Sequence, residues 1–526
     1  MRMRSKLTRS WITTEKVRRQ IRKLKPHSAA GPDGIAPRLL KSCENQLAPV
    51  LAMIYRKSLK LGQVPDEWKV ANVVPIYKKG SKADQGNYRP VSLTTGSVCC
   101  KMLESILKQD IMDHLTRNRL IRNSQHGFMK NKSCTTNLLE FMEKVTDAAD
   151  KGKAMDIVYL DFAKAFDKVP TERLLKKVKA HGIGGEVLEW IRQWLKDRRQ
   201  RVTVNGKLSS WQKVLSGVPQ GSVLGPVLFL IFINDLDSAV TERQIIRKFA
   251  DDTKLGQIID SEADRAELQG CLDRLCKWAR DWGMAFNVAK CHVMHIGRQN
   301  PGHTYNMDGV VLEVTREERD IGVTVTNDLK PSRQCQKAAQ TAYAVLGQIL
   351  RAFHFRDRHM FVNLYLQYVR PHLEFAVAAW APWSQADIAC LEKVQAKAVR
   401  AVSGLKGHSY EERLSELGLV SLQARRREID MALTYRIVND SDSEYKEQWF
   451  SQTATRRPTR NNCGRDNIVR KRGQHEFRNN FFSIRVTDEW NELPDSIKEA
   501  KQVASFKRLY RRHQEGTVAP ALHGTQ

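Results

Sequence analysis

Acidic residues are scarce: 58 Asp and Glu stand against 87 Lys and Arg in 526 residues, leaving a net charge of +29. A cationic surplus of this size repels itself unless a polyanion neutralises it. Nucleic acid is therefore the first partner to expect, with an anionic membrane surface as the alternative on charge alone. Long apolar runs are also missing. Nothing approaches the ~18 apolar residues of a membrane span. The longest stretch, residues 223–233, is interrupted by Gly225 and Pro226 and reads as buried core, so no membrane partner is expected. Residues 1–10 are basic but lack the apolar segment of a secretory leader. The ten cysteines include no CxxC pair and no even framework spacing, which predicts reduced thiols in an intracellular protein; Cys463 and His475 would make only half of a zinc site. There is no internal repeat and no low-complexity tract. What remains, 41% hydrophobic and 28% charged residues, is the composition of a folded chain long enough for several subdomains.

Apolar residues recur at helical spacing over 12–25, 36–62, 97–116, 135–150, 222–240 and 262–282, and over 171–199, which reads as one helix. Strand-like runs occupy 70–77, 87–93, 157–160, 245–249 and 291–296. Small hairpins are expected over 201–215, turning at Asn205-Gly206, and over 305–325, turning at Asp308-Gly309. Past residue 330 the strands stop and 332–440 reads as helical. Residues 441–480 carry Arg456-Arg457-Pro458 and Arg470-Lys471-Arg472 and read as a flexible basic linker. Folded character returns at 481–513 with Phe481, Phe482, Trp490 and Phe506.

The sharpest local feature is Phe249-Ala250-Asp251-Asp252 at the end of an apolar strand. Neighbouring carboxylates repel, which costs stability unless a cation lies between them. A hard cation such as Mg²⁺ takes oxygen ligands readily. Asp161 also ends a buried-looking strand, in Tyr159-Leu160-Asp161-Phe162. If the two strands are sheet neighbours, Asp161 and Asp251 meet at one edge, and such carboxylates can hold two divalent ions about 4 Å apart for phosphoryl transfer. In Gly217-Val218-Pro219-Gln220-Gly221-Ser222 two glycines permit close backbone approach and Pro219 stiffens the loop. Asp167 reads as a helix cap.

Taken in order, these strings resemble the palm of reverse transcriptases, in particular the LINE-type (non-LTR) enzymes similar to the jockey element. The resemblance implies an α+β right hand, with fingers and palm of antiparallel sheet plus helices and a mostly helical thumb. Asp161 matches the first aspartate of the family's motif A, and Phe249 to Asp252 match motif C. Asp161 and Asp251 are thereby the principal metal ligands, Phe162 adds a backbone carbonyl, and Asp252 is the third acidic member. The implied cofactor is a pair of Mg²⁺ ions, with Mn²⁺ as a substitute. Phe166 falls at the family's steric gate against ribonucleotides. The loop from Gly217 to Ser222 resembles motif B, where Pro219, Gln220 and Gly221 would meet nucleotide and template. Asn87-Tyr88-Arg89-Pro90-Val91-Ser92-Leu93 resembles a fingers motif in which Arg89 clamps the triphosphate. Lys78 and Lys79 are candidates for the same phosphates or for template, and which of them points inward stays open. Lys290 resembles the motif D proton donor. Arg319 and Gly322, in Arg319-Asp320-Ile321-Gly322-Val323, resemble the primer grip of motif E.

By this resemblance residues 1–60 extend the fingers, 61–325 form the reverse transcriptase domain, 326–440 a helical thumb or connection, 441–480 the linker and 481–526 a C-terminal segment. The implied partners are an RNA template, a DNA primer or target and dNTPs, with a nuclear workplace if priming is chromosomal. Thirty residues precede Gly31. The expectation is therefore that the endonuclease of full-length elements is absent and that the chain is a truncated copy. The alternative function is a co-opted, catalytically silent RNA- or DNA-binding protein. A maturase or a telomerase-like enzyme is disfavoured by the wording of 87–93 and of the segment around Trp490.

Overall fold

The computed structural model describes residues 6–28, 30–31, 33–78, 80–95, 97–440, 444–450 and 467–518. Strands β1 (Val70–Tyr77) and β2 (Tyr88–Thr95) form an antiparallel hairpin, with Tyr77 opposite Tyr88. The next strand, β3 (Met155–Leu160), is buried along its whole length. Strand β4 (Arg199–Val204) runs parallel to β1, and the short β5 (Lys207–Leu208) and β6 (Gln212–Lys213) pair with β4. The turn is at Asn205-Gly206, as read from sequence, but the returning strand is split in two. A hairpin of β7 (Ile245–Phe249) and β8 (Asp252–Ile258) follows, then β9 (His292–Ile296). The run 305–325 holds more than the one hairpin expected. Strands β10 (Asn306–Met307) and β11 (Val310–Val311) turn at Asp308-Gly309, and β12 (Glu313–Val314) joins β9. Strands β13 (Glu317–Asp320) and β14 (Val323–Thr326) then make a second hairpin.

The central sheet has the order β12-β9-β3-β8-β7, so β3 lies between β8 and β9 and is antiparallel to both. Its side chains alternate between two cores. Val158 and Leu160 pack with the all-apolar helix Gly225–Ile233 and the helix Glu262–Trp282. Met155, Ile157 and Tyr159 belong to a second core that holds Phe141 and Val145 of the helix Cys134–Asp150 and, farther along the chain, Trp490 and Phe506 of the C-terminal segment. Asp156, fully buried in the strand, accepts from Tyr305 Oη at 2.6 Å and from Asn300 Nδ2 at 2.8 Å and meets His295 Nδ1 at 2.6 Å, so the charge is satisfied where it is desolvated.

Three expectations are corrected. The helix expected over 171–199 is two, Thr171–Ala180 and Gly185–Leu195, broken where Gly182 and Gly185 take φ of 81° and 54°. The helical stretch from 332 is interrupted around 353–357 and again by a wide π turn at Tyr365–Val369. The stretch read as a linker is structured where it is described. Trp449 is buried, and Asp150 accepts from the Gln474 and His475 backbone at 2.8 Å each. Arg456, Arg457, Pro458 and Cys463 lie outside the described residues. Among the described residues no helix is long and apolar enough to cross a membrane.

Candidate active site

Residue Asp161 directly follows β3, whose last residue, Leu160, pairs with Thr253; continuing that register sets Asp161 opposite Asp252. The β7–β8 hairpin closes on the pair Phe249 and Asp252, leaving Ala250 and Asp251 as a two-residue turn. The sheet pairing thus brings three carboxylates from two strands to one end of the sheet. They line a groove of about 1390 Å³ together with Phe249, Lys78, Arg89 and Lys290. Lys290 Nζ stands 3.5 Å from Asp161 Oδ2, and Asn287 N donates to Asp161 O at 2.8 Å.

Charge crowding is written into the titration of these groups. Loss of hydration, then repulsion from Asp161, holds the Asp251 carboxyl above its ordinary range. Asp252, still touching solvent, is pushed up to about 6 by loss of hydration and by Asp251, Asp161 and Asp320. Lys78 is lowered by loss of hydration and by its cationic neighbours Arg89 and Lys290. An anion with its own counter-cation would relieve both sets.

The Gly217–Ser222 loop docks on the turn after Asp161. Gly217 N donates to Val169 O at 2.8 Å and Val218 N to Phe166 O at 2.8 Å. A Cβ on Gly217 (φ +91°) would sit 2.6 Å from Asp167 O, and one on Gly221 (φ +94°) 2.3 Å from Ser92 O. Both glycines are therefore demanded by close backbone approach. Pro219, Gln220 and Gly221 line the groove; Gly217 does not. Asp167 does not cap a helix: no side-chain cap is formed there, and its Oδ1 accepts from Gln220 Nε2 at 2.9 Å instead. Phe166 also lines the groove and stacks on Phe229 with centroids 4.3 Å apart. The Phe162 ring is buried and stacks on Phe286 at 4.3 Å.

Arg319 is not in this groove. It lines an adjoining cavity of about 280 Å³ that shares Asp161, Asp252 and Lys290 with it. Gly322 lines neither cavity; its φ of +89° turns the β13–β14 hairpin against the Phe375 ring. Lys79 lies outside the described residues, and of the two lysines Lys78 lines the groove.

Two buried side chains hold the site through contacts that the sequence does not announce. Glu104 Oε2 accepts from Val223 N at 2.8 Å and Leu224 N at 3.2 Å, fixing the entry to helix Gly225–Ile233. A lone acid inside the apolar run Cys99-Cys100-Lys101-Met102-Leu103-Glu104-Ser105-Ile106-Leu107 was the available signal. Gln125 accepts from Gly127 N at 2.8 Å and Ala250 N at 2.9 Å and donates to Ala250 O at 3.3 Å. The string Ser124-Gln125-His126-Gly127-Phe128 fits an upstream motif of the LINE-type enzymes and points to the fingers and template path, but nothing in it assigns Gln125 to the Ala250 turn.

The donors at the sheet end are all oxygen, and their ionised forms crowd one another, which suits a hard divalent cation. Among the described residues no three ligating side chains close into a ready-made cage. Mg²⁺ is one such cation, and it commonly keeps water and substrate oxygens beside one or two carboxylates. Carboxylates from adjacent strands, a basic groove and a loop pinned at two glycines together have the arrangement of a polymerase palm.

Comparison with known proteins agrees. Residues 76–350 match the family described as reverse transcriptase (RNA-dependent DNA polymerase), and the chain belongs to that family. It is 30% identical over 410 residues to the RNA-directed DNA polymerase from mobile element jockey of Drosophila funebris, covering 75% of this chain and 44% of that protein. It is 26% identical over 421 residues to the probable RNA-directed DNA polymerase from transposon BS of Drosophila melanogaster, covering 74% and 44%. The chain thus spans less than half the length of these relatives. A solved telomerase from Candida albicans in complex with a telomeric RNA fragment aligns at a TM-score of 0.38 and 12% identity, over 72% of this chain and 69% of that one. Reverse transcriptases use divalent metal ions.

Proposed function

We propose that this chain is an RNA-directed DNA polymerase of the non-LTR type, extending a DNA 3′ end on an RNA template with two Mg²⁺ ions. The observation that carries the reading is the β3–β8 register, which sets Asp161 beside the Asp251–Asp252 turn at the floor of a basic groove. Asp161 and Asp251 would hold the ions, with Asp252 at their edge. Bound there, the cations supply charge neutralisation and an acidified 3′-hydroxyl. Arg89 and Lys78 bind the triphosphate, Arg89 through a forked pair of hydrogen bonds. Gln220, held by Asp167, orients the nascent base pair. Phe166, braced by Phe229, is the ring that would meet a 2′-hydroxyl. Lys290, beside Asp161, hands a proton to the departing pyrophosphate. Chromosomal priming would make the nucleus its workplace, and the exposed Arg470 and Arg472 beside Lys471 are consistent with import.

The test is extension of a DNA primer annealed to RNA, with and without Mg²⁺, by the unmodified chain and by Asp251→Asn. Extension that needs Mg²⁺ and falls at least ~1000-fold in the variant is expected, because the charge that holds the cation is lost. Binding of the duplex without extension would leave a silent nucleic-acid binder.

A further inference from the structure

We infer that Gln125 is a positioning residue for the metal-binding turn: its buried side-chain amide holds Ala250 in a backbone conformation that alanine does not favour, and so sets the direction of the Asp251 carboxylate. The inference rests on the polymerase reading for its catalytic consequence, while the clamp itself stands on the fold alone.

The argument begins with the turn. Phe249 pairs with Asp252, so Ala250 and Asp251 are the two central residues of a two-residue hairpin loop. Ala250 has φ +58° and Asp251 has no positive φ. Positive φ at the first central residue alone is the pattern of a type II′ turn, and glycine is the residue that takes it without a Cβ penalty. Here the residue is alanine and it is buried. The turn therefore does not hold itself in this form, and some other group must hold it.

Gln125 is placed to do so. It is 1% exposed and spends its amide on the turn: Oε1 accepts from Ala250 N at 2.9 Å while Nε2 donates to Ala250 O at 3.3 Å. One side chain thus ties both backbone polar groups of the strained residue. The clamp is itself braced. His126 N donates to Lys248 O at 2.9 Å and Lys248 N to Ser124 O at 2.8 Å, so residues 124–126 run alongside β7. Oε1 also accepts from Gly127 N at 2.8 Å. A Cβ on Gly127 would lie 2.3 Å from Ala250 N, so only glycine lets the two backbones approach this closely. A carboxylate at 125 would keep both acceptor contacts but lose the donor to Ala250 O. It would also bring negative charge toward Asp251 and Asp252.

The experiment is a double-mutant cycle of Gln125→Leu and Ala250→Gly, with Gln125→Glu alongside, each chain measured in three ways. The readouts are thermal midpoint, Mn²⁺ affinity by electron paramagnetic resonance, and single-turnover primer extension on RNA. Glycine at 250 lowers the strain, so Gln125→Leu should lower the midpoint more in the native background than in A250G. In the native background Gln125→Leu should weaken Mn²⁺ binding and slow extension about 30- to 100-fold, while the dNTP concentration for half-maximal rate moves less than about threefold. In A250G the extension loss should shrink to within about fivefold. Gln125→Glu should reproduce the slow step despite its similar volume. Equal losses in both backgrounds would overturn the inference. So would a rate loss explained wholly by fewer active molecules, with Mn²⁺ affinity unchanged. Should the unmodified chain fail to extend any primer, the polymerase reading falls, and the coupling of midpoints and Mn²⁺ affinities still decides the clamp.

Discussion

Asp252 shows at the scale of one residue how a crowded carboxylate weakens the fold that carries it. Its carboxyl titrates near 6 against an ordinary 3.8, so between those values the folded chain binds a proton that the unfolded chain does not. Stability from this group therefore rises as pH falls through 6 toward 4, and at neutral pH the ionised group is a net cost. Asp252→Asn in metal-free protein should gain about 1 kcal/mol at pH 7.5, discounted from the full shift because Asp252 touches solvent. Urea denaturation should show that gain shrinking toward zero by pH 4. Added Mg²⁺ should raise the midpoint of the native chain more than that of the variant. A gain that is constant with pH would count against the crowding. Phe166 supplies a second residue-scale outcome. Its ring lines the groove and is fixed by Phe229, so Phe166→Ala should raise ribonucleotide incorporation relative to deoxynucleotide by about tenfold or more. Competition between the two nucleotides in one reaction measures it.

Elements carry the site through their junctions, and there the legibility of the sequence was uneven. The apolar run before Asp161 and the strand before Asp251 could be read, because a buried central strand is a continuous apolar stretch ending in an abrupt charge. Their adjacency could be posed only as a condition, since register is set by partners far away in sequence. The break at His181-Gly182-Ile183-Gly184 is not legible because helical periodicity continues on both sides, and it is the positive φ at Gly182 and Gly185 that parts the two helices. Asp167 has the local look of a cap, as acids before helices usually do; its actual partner, Gln220, lies in another loop. Gly217 was legible as a glycine but not as a staple. It sits 2.6 Å, by its missing Cβ, from Asp167 O, so Gly217→Ala should push the loop off that turn. The expected result is a loss of about 1–3 kcal/mol in stability and a raised half-saturating dNTP concentration. Mn²⁺ affinity should change little, since Asp161 and the Asp251–Asp252 turn belong to other elements. Equal damage to nucleotide and metal binding would mean that the loop and the sheet end do not move separately.

For the whole molecule, the unexpected feature is that one core joins the central sheet, the helix Cys134–Asp150 and the far end of the chain. Ile157 and Tyr159 of β3 share a core with Trp490, Phe506 and Tyr510. Polar contacts fasten the same segment: Arg478 Nη2 reaches Glu143 Oε1 at 2.7 Å, and Asp150 accepts from the Gln474 and His475 backbone. Residues 76–350 match the family, yet the core that the helix Cys134–Asp150 and β3 share within that span is completed by residues beyond it, Trp490, Phe506 and Tyr510 among them. A core cut through in this way exposes apolar surface and aggregates or unfolds rather than standing alone. Trp490 is fully buried and tests the point without truncation. Trp490→Ala should cost about 3–5 kcal/mol, because it deletes a large ring from a packed core and leaves a cavity. Since β3 delivers Asp161, extension activity should be lost along the same urea curve as the tryptophan fluorescence, in one transition. If activity instead survives unfolding of the C-terminal core, the two cores are separate units, and the segment after residue 440 is an accessory rather than the second wall of the palm.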